Sequence, residues 1–186
     1  MHKKNRWFGF IAAIVIALAL AVSSTPALAG SKAEIDSSVD AALQKLMATT
    51  PTAKELSKIA KGILVFPHIV KAGFIVGGQA GEGALVKNGK IESYYNTVAL
   101  SYGMQAGAQA FGYALFFTTD ATMTYLDSSS GWEIGVGPGI TIVDEGVARS
   151  LSTTTAKEGI YAFFFDQKGL MAGAGLQGSK ITRIYP

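Results

Sequence analysis

Apolar positions follow three successive rhythms along this chain. Trp7 to Val22 is an almost unbroken apolar run behind Lys3, Lys4 and Arg6. From Ile35 onward the apolar residues Ile35, Val39, Ala42, Leu43 and Leu46 recur at helical spacing. Ser31 and Glu34 stand before them in the S-x-x-E order of a capping box, which predicts a helix over 32–48. Thr50-Pro51 opens a second helix with apolar Ala53, Leu56, Ile59 and Ala60, and Gly62 is its expected C-cap. Beyond Ile63 the period shortens to that of strands.

In this second part Ile63–Phe66 reads as a short strand stopped by Pro67. A glycine-rich strand and a hairpin follow, with a type I′ turn expected at Asn88-Gly89. Residues 97–119 read as two further apolar strands, and Asp120 as the cap of a short helix reaching Leu126. Residues 127–131 read as a loop, 132–143 as a strand and 148–159 as a polar loop. The remainder predicts two strands about Gln167-Lys168-Gly169 and a last extended piece. Helices first and strands afterwards give an α+β fold. Its core is a glycine-rich, strongly twisted antiparallel sheet or a barrel-like closure of one.

The first apolar run is a targeting signal. It has a basic start, an apolar centre and Ala27-Leu28-Ala29 after Pro26, the order of a secretory signal peptide cleaved after Ala29. The run falls slightly short of the ~20 residues that a membrane-spanning helix needs. No cysteine follows, so no lipobox is present. The short basic start suggests a bacterial chain and therefore a periplasmic product. Removing 1–29 leaves 157 residues, enough for one domain with its own core. The segment also carries three of the sixteen Lys and Arg residues against none of the thirteen acids, so the mature chain has zero net charge. A nucleic-acid partner loses its electrostatic support.

Glycine is the anomaly of the mature chain, at about 13% against the usual ~7%. The glycines are interleaved with β-branched and aromatic residues, a pattern of curved or closely packed strands. Gly173, Gly175 and Gly178 form a formal G-x-G-x-x-G. A dinucleotide site needs a helix after this motif and an acidic residue about 20 positions on. Here the chain runs only eight more residues, through an extended S-K-I-T-R-I-Y-P, so no nucleotide is expected. Other chemistry is equally bare. His68 is the one histidine after the signal, Asp127 and the Asp144-Glu145 pair are isolated acids, and no metal-ligand spacing occurs. No catalytic residue, metal or cofactor is assigned.

The order of short motifs is more specific. Ala60-Lys61-Gly62-Ile63 is followed by Lys71-Ala72-Gly73-Phe74, then by a G-G-x-x-G-x-G run containing Gly78, Gly81 and Gly83. Residues 103–109, 135–139 and 168–179 add G-M-Q-A-G-A-Q, G-V-G-P-G and K-G-L-M-A-G-A-G-L-Q-G-S. Over about 54–186 the chain resembles the SYLF lipid-binding domain family, also known through a yeast actin-patch protein, and is most similar to its secreted bacterial members. Residues 30–53 then form a helical lead-in. The W-S-x-P step of eukaryotic members is replaced here by E-S-Y-Y-N, and the arginine after G-P-x-G is missing.

The resemblance implies a non-enzymatic domain that binds anionic phospholipid or a membrane surface. The alternative is an envelope module that binds a protein partner without lipid. Within the second helix Lys54, Lys58 and Lys61 fall within ~60° of one another, opposite its apolar stripe. With Lys71 they are the expected lipid contacts, set against the plainer reading of a solvated face.

Overall fold

The computed structural model describes residues 30–127, 131–144, 148, 151, 159–168, 176 and 178–186; for 74–76, 101–108, 167 and 168 it describes the backbone alone. The fold is α+β. Helix α1 spans Lys32–Thr49 and α2 spans Pro51–Ser57. Two long strands follow, β1 (Gly62–Lys87) and β2 (Lys90–Phe117). Then come α3 (Asp120–Leu126), β3 (Trp132–Glu133), β4 (Ile140–Ile142), β5 (Ile160–Lys168) and β6 (Lys180–Ile184).

The capping box at Ser31 and Glu34 forms as the sequence predicts. The Glu34 amide donates to Ser31 Oγ at 3.4 Å, and the Ser31 amide donates to Glu34 Oε2 at 2.8 Å. The second helix is shorter than expected. It ends at Ser57, because the amides of Lys58 and Ile59 turn back onto Glu55 and Leu56 and that of Lys61 is taken by the Phe117 carbonyl. The sheet therefore claims the backbone before Gly62 is reached.

β1 and β2 form one hairpin. Its turn has φ of 51° at Asn88 and 72° at Gly89, the two positive values of a type I′ turn. Pro67 does not stop the strand. A register shift between Phe66 and Ile69 lifts Pro67 and His68 out of the ladder, so the missing proline N–H costs no strand bond. Residues 97–117 likewise belong to one strand, not two.

β2 is the centre of a six-stranded sheet. β1 pairs with it on one edge; on the other, β6 lies against Tyr94–Val98 and β5 against Ala110–Phe117. β3 adds to β6. The pairing is antiparallel throughout except for β4, which runs parallel to β5, so the sheet is mixed. The expected strand over 132–143 is reduced to its two ends. Gly135 and Gly137, both at φ 104°, turn the chain between them, a backbone that no continuous strand accommodates. α3 is capped by Thr119, whose Oγ1 accepts from the Thr122 amide at 3.3 Å, and Asp120 is its first residue.

Alternation sorts the strand residues onto two faces. Leu64, Phe66, Leu85, Tyr113, Leu115 and Phe117 enter an inner core with Met123, Trp132 and Ile181. Ile63, Val65, Ala84, Val86, Ala114 and Phe116 meet Ile35, Val39, Leu46, Ala53 and Leu56 of the two helices on the outer face. α1 is tied down by Asp36, which accepts from the Tyr94 hydroxyl at 2.6 Å, and by a Lys45–Asp166 pair.

Leu64 and Leu85 share one core although they lie near opposite ends of β1. The strand curls back on itself to bring them together. A Cβ on Gly81 would stand 2.5 Å from the His68 carbonyl oxygen, and one on Gly83 2.8 Å from the Val65 carbonyl carbon. Real Cβ atoms essentially never come so near. The Gly78, Gly81, Gly83 run thus permits backbone to pass over backbone, the close approach that interleaved glycines suggest.

Candidate functional site

The lysines expected to act together are only partly gathered. Lys54 lies in the last turn of α2, Lys58 is its C-cap and Lys61 leads into β1. All three are exposed. The helix stops at Ser57 with Lys58 still in helical conformation as its C-cap, so Lys61 alone stands beyond the helix. Lys58 pairs with Glu55 at 2.7 Å and Lys61 reaches Asp120 at 3.7 Å. Lys71 is half-buried and stands further along β1, opposite Gln109. Lys54 and Lys71 make no ion pair among the described residues.

A different feature stands out on the outer face of the hairpin. Tyr94 and Ala84, paired across the strands, are packed against the N-terminal half of α1. Four and six pairs beyond them along the hairpin, on the same face, come Ala80 with Val98 and Gly78 with Leu100, and among the described residues no helix covers these. Leu100 is 90% exposed, Val70 57% and Val98 44%. With Ala72 and Ala80 they line an open cleft of about 660 Å³, flanked by Glu133 and Lys180. Gln79 closes its floor, donating from Nε2 to Ser179 Oγ at 3.0 Å while both side chains are buried. Contiguous exposed apolar surface of this kind marks an interaction site more often than scattered single residues do.

Sequence reasoning missed these residues for an identifiable reason. Thr97-Val98-Ala99-Leu100 is apolar or small on both faces, the composition of a strand covered on both sides. The i, i+2 spacing of Val98 and Leu100 places them on one face, but only the reach of α1 decides that this face is bare.

The late glycine motif falls largely outside the described residues, Gly173 and Gly175 among them. Gly178 is described. It has φ 77° and sits in a turn whose amide donates to the Ile134 carbonyl at 2.9 Å. The residues after it form β6, so a strand stands where a nucleotide motif needs a helix. His68 is exposed in the β1 bulge. Of the expected loops, 128–130 and most of 145–158 lie outside the described residues, as does Glu145. Among the described residues no three His, Cys, Asp or Glu side chains gather as a metal site, and no helix is long and apolar enough to cross a membrane.

Compared with models of known protein families the chain matches none, and a search of curated proteins finds no significant relative. The likeness to the SYLF family accordingly rests on the motifs themselves.

Proposed function

We propose that this is a non-enzymatic protein of the bacterial envelope that associates with anionic membrane lipid. The observation that carries the reading is the uncovered apolar strip Val70, Val98 and Leu100 with its open cleft. Its volume and apolar lining suit an acyl chain or the outer layer of a membrane surface. Transferring a leucine side chain from water to an apolar medium is worth about 1.5–3 kcal/mol, so Leu100 alone is a substantial anchor. Lys54, Lys58, Lys61 and Lys71 supply the attraction to an anionic headgroup layer, each lysine near such a surface contributing about 1 kcal/mol. The resemblance to the SYLF family favours the same ligand class.

Flotation of the mature protein with phosphatidylglycerol vesicles and with phosphatidylcholine vesicles tests the proposal. Binding to the anionic vesicles, weakened by salt and by Leu100→Ser, is the expected result. A protein that floats with neither vesicle type, and leaves its natural envelope with one stoichiometric protein partner, is instead an interaction module.

A further inference from the structure

The first residue after the expected cleavage site is held by a carboxylate. The Gly30 amide donates to Glu82 Oε2 at 2.7 Å across 52 residues of sequence. Glu82 is half-buried on β1, and the Gly30 amide is its one hydrogen-bond partner among the described residues. It joins no ion pair there. The neighbouring acid, Glu34, is already engaged by the amide and hydroxyl of Ser31. Lys32, the next cation along the chain from Gly30, is paired with Asp36. The place is also narrow: a Cβ at position 30 would lie 3.3 Å from Glu82 Oε2 and 3.4 Å from Ile35 Cγ1.

A single neutral amide is a modest partner for a half-buried carboxylate. Cleavage changes the donor. A signal peptidase adds water across the Ala29–Gly30 peptide bond. The hydroxyl goes to the Ala29 carbonyl, which leaves as a carboxylate, and the Gly30 nitrogen takes up the protons that make it an ammonium. That ammonium has a positive charge and three N–H donors, at a nitrogen already 2.7 Å from Glu82.

We infer that Glu82 is a receptor for the α-ammonium of the mature chain, so that removal of the leader itself completes an ion pair locking α1 to β1. The inference goes beyond lipid association and does not depend on it. It rests on cleavage after Ala29.

The intact mass of the protein recovered after secretion tests that step alone, and a chain starting at Gly30 is expected. The contact is then tested by thermal melting of two chains, one starting at Gly30 and one extended back to Pro26, each with and without Glu82→Gln. In the Gly30 chain the substitution should lower Tm by about 3 °C, the scale of one good interaction in a domain of this size. In the extended chain, where position 30 keeps a neutral amide, it should change Tm by less than about 1 °C on the same scale. Should Glu82→Gln fail to fold, the parent chains give a second readout. The Gly30 chain should melt above the extended one at low salt, and the gap should narrow in about 1 M salt, where the Debye length is ~3 Å. An equal loss in both backgrounds, a gap that salt leaves unchanged, or a secreted chain that begins at another residue overturns the inference.

Discussion

The curl of β1 can be broken with one methyl group. In Gly83→Ala the new Cβ would sit 2.8 Å from the Val65 carbonyl carbon and 2.8 Å from Phe66 Cδ1, and closer still to the Val65 carbonyl oxygen. Neither segment has room to yield. Val65 is held in the ladder opposite Ala114, and Gly83 opposite Tyr95, so a shift of either costs strand hydrogen bonds. Overpacking against side chains costs about 1–3 kcal/mol, and obstruction by backbone belongs at the upper end of that range or beyond. About 3 kcal/mol corresponds to a fall in Tm of roughly 6–12 °C for a domain of this size. Two other glycines calibrate the result. At Gly139 a Cβ would meet nothing within 4 Å, and φ is not positive, so Gly139→Ala should be neutral or stabilising by about 0.4–1 kcal/mol. Gly89 is equally open but has φ 72°, so Gly89→Ala should cost about 1 kcal/mol of backbone strain. Urea unfolding followed by far-UV circular dichroism measures all three on one scale. A Gly83→Ala protein as stable as Gly139→Ala would refute the close crossing of β1 over itself.

Further outcomes are expected from the titrating groups and from the candidate lipid face. Burial pushes the Tyr113 hydroxyl above the usual tyrosine range, partly offset by its bond to Thr97 Oγ1 at 3.1 Å. The folded state therefore keeps this proton when the unfolded state releases it, and stability should fall as pH rises past about 10, less steeply in Tyr113→Phe. Lys32 first, and the Tyr94 hydroxyl second, hold the Asp36 carboxyl below its ordinary range. Its stabilisation is present at neutral pH and disappears as pH falls through that lowered value, so Asp36→Asn should lower Tm at pH 7 and barely change it near pH 2. Leu100→Ser should weaken vesicle binding roughly tenfold or more in a flotation titration, with little change in Tm because the side chain is 90% exposed. Exchanging Lys54, Lys58 and Lys61 together for Gln would cost about a hundredfold if each charge were free, but Glu55 and Asp120 already neutralise two of them, and a loss nearer tenfold is expected.

Local signals are legible wherever the local chain decides the outcome. The Ser31–Glu34 box, the helical spacing from Ile35 to Leu46 and the Asn88-Gly89 turn each depend on residues within a few positions of one another, and each forms. The α+β class follows from the same signals. Errors arise where a distant partner overrides a local cue. Pro67 reads as a stop until β2 offers a register shift that leaves it unpaired. Gly62 reads as a helix C-cap until the Phe117 carbonyl takes the preceding amide. The lysine stripe presupposes a helix running as far as Lys61; the helix ends at Ser57 with Lys58 as its C-cap, so Lys61 stands beyond it.

The bare strip on the hairpin is a consequence of lengths that no local reading combines. β1 has 26 residues and would extend roughly 85 Å if straight, at about 3.3 Å per residue. α1 has 18 residues and covers about 27 Å at 1.5 Å per residue, and α2 adds only seven residues more. Two helices of that size cannot cover the outer face of such a hairpin. Curling brings the two ends of β1 together, which is why Ile63, Val65, Ala84 and Val86 can share one helical cover. The middle of the strand then has to lie beyond the helices. Val70, Ala72, Gly78 and Ala80 occupy that middle, with Val98 and Leu100 beside them on β2. The glycines that let β1 cross itself therefore also determine which apolar residues are left uncovered, and this is the link between the fold and the proposed lipid contact. A variant that opens the curl at Gly83 should alter vesicle binding and stability together, whereas Leu100→Ser should alter binding alone.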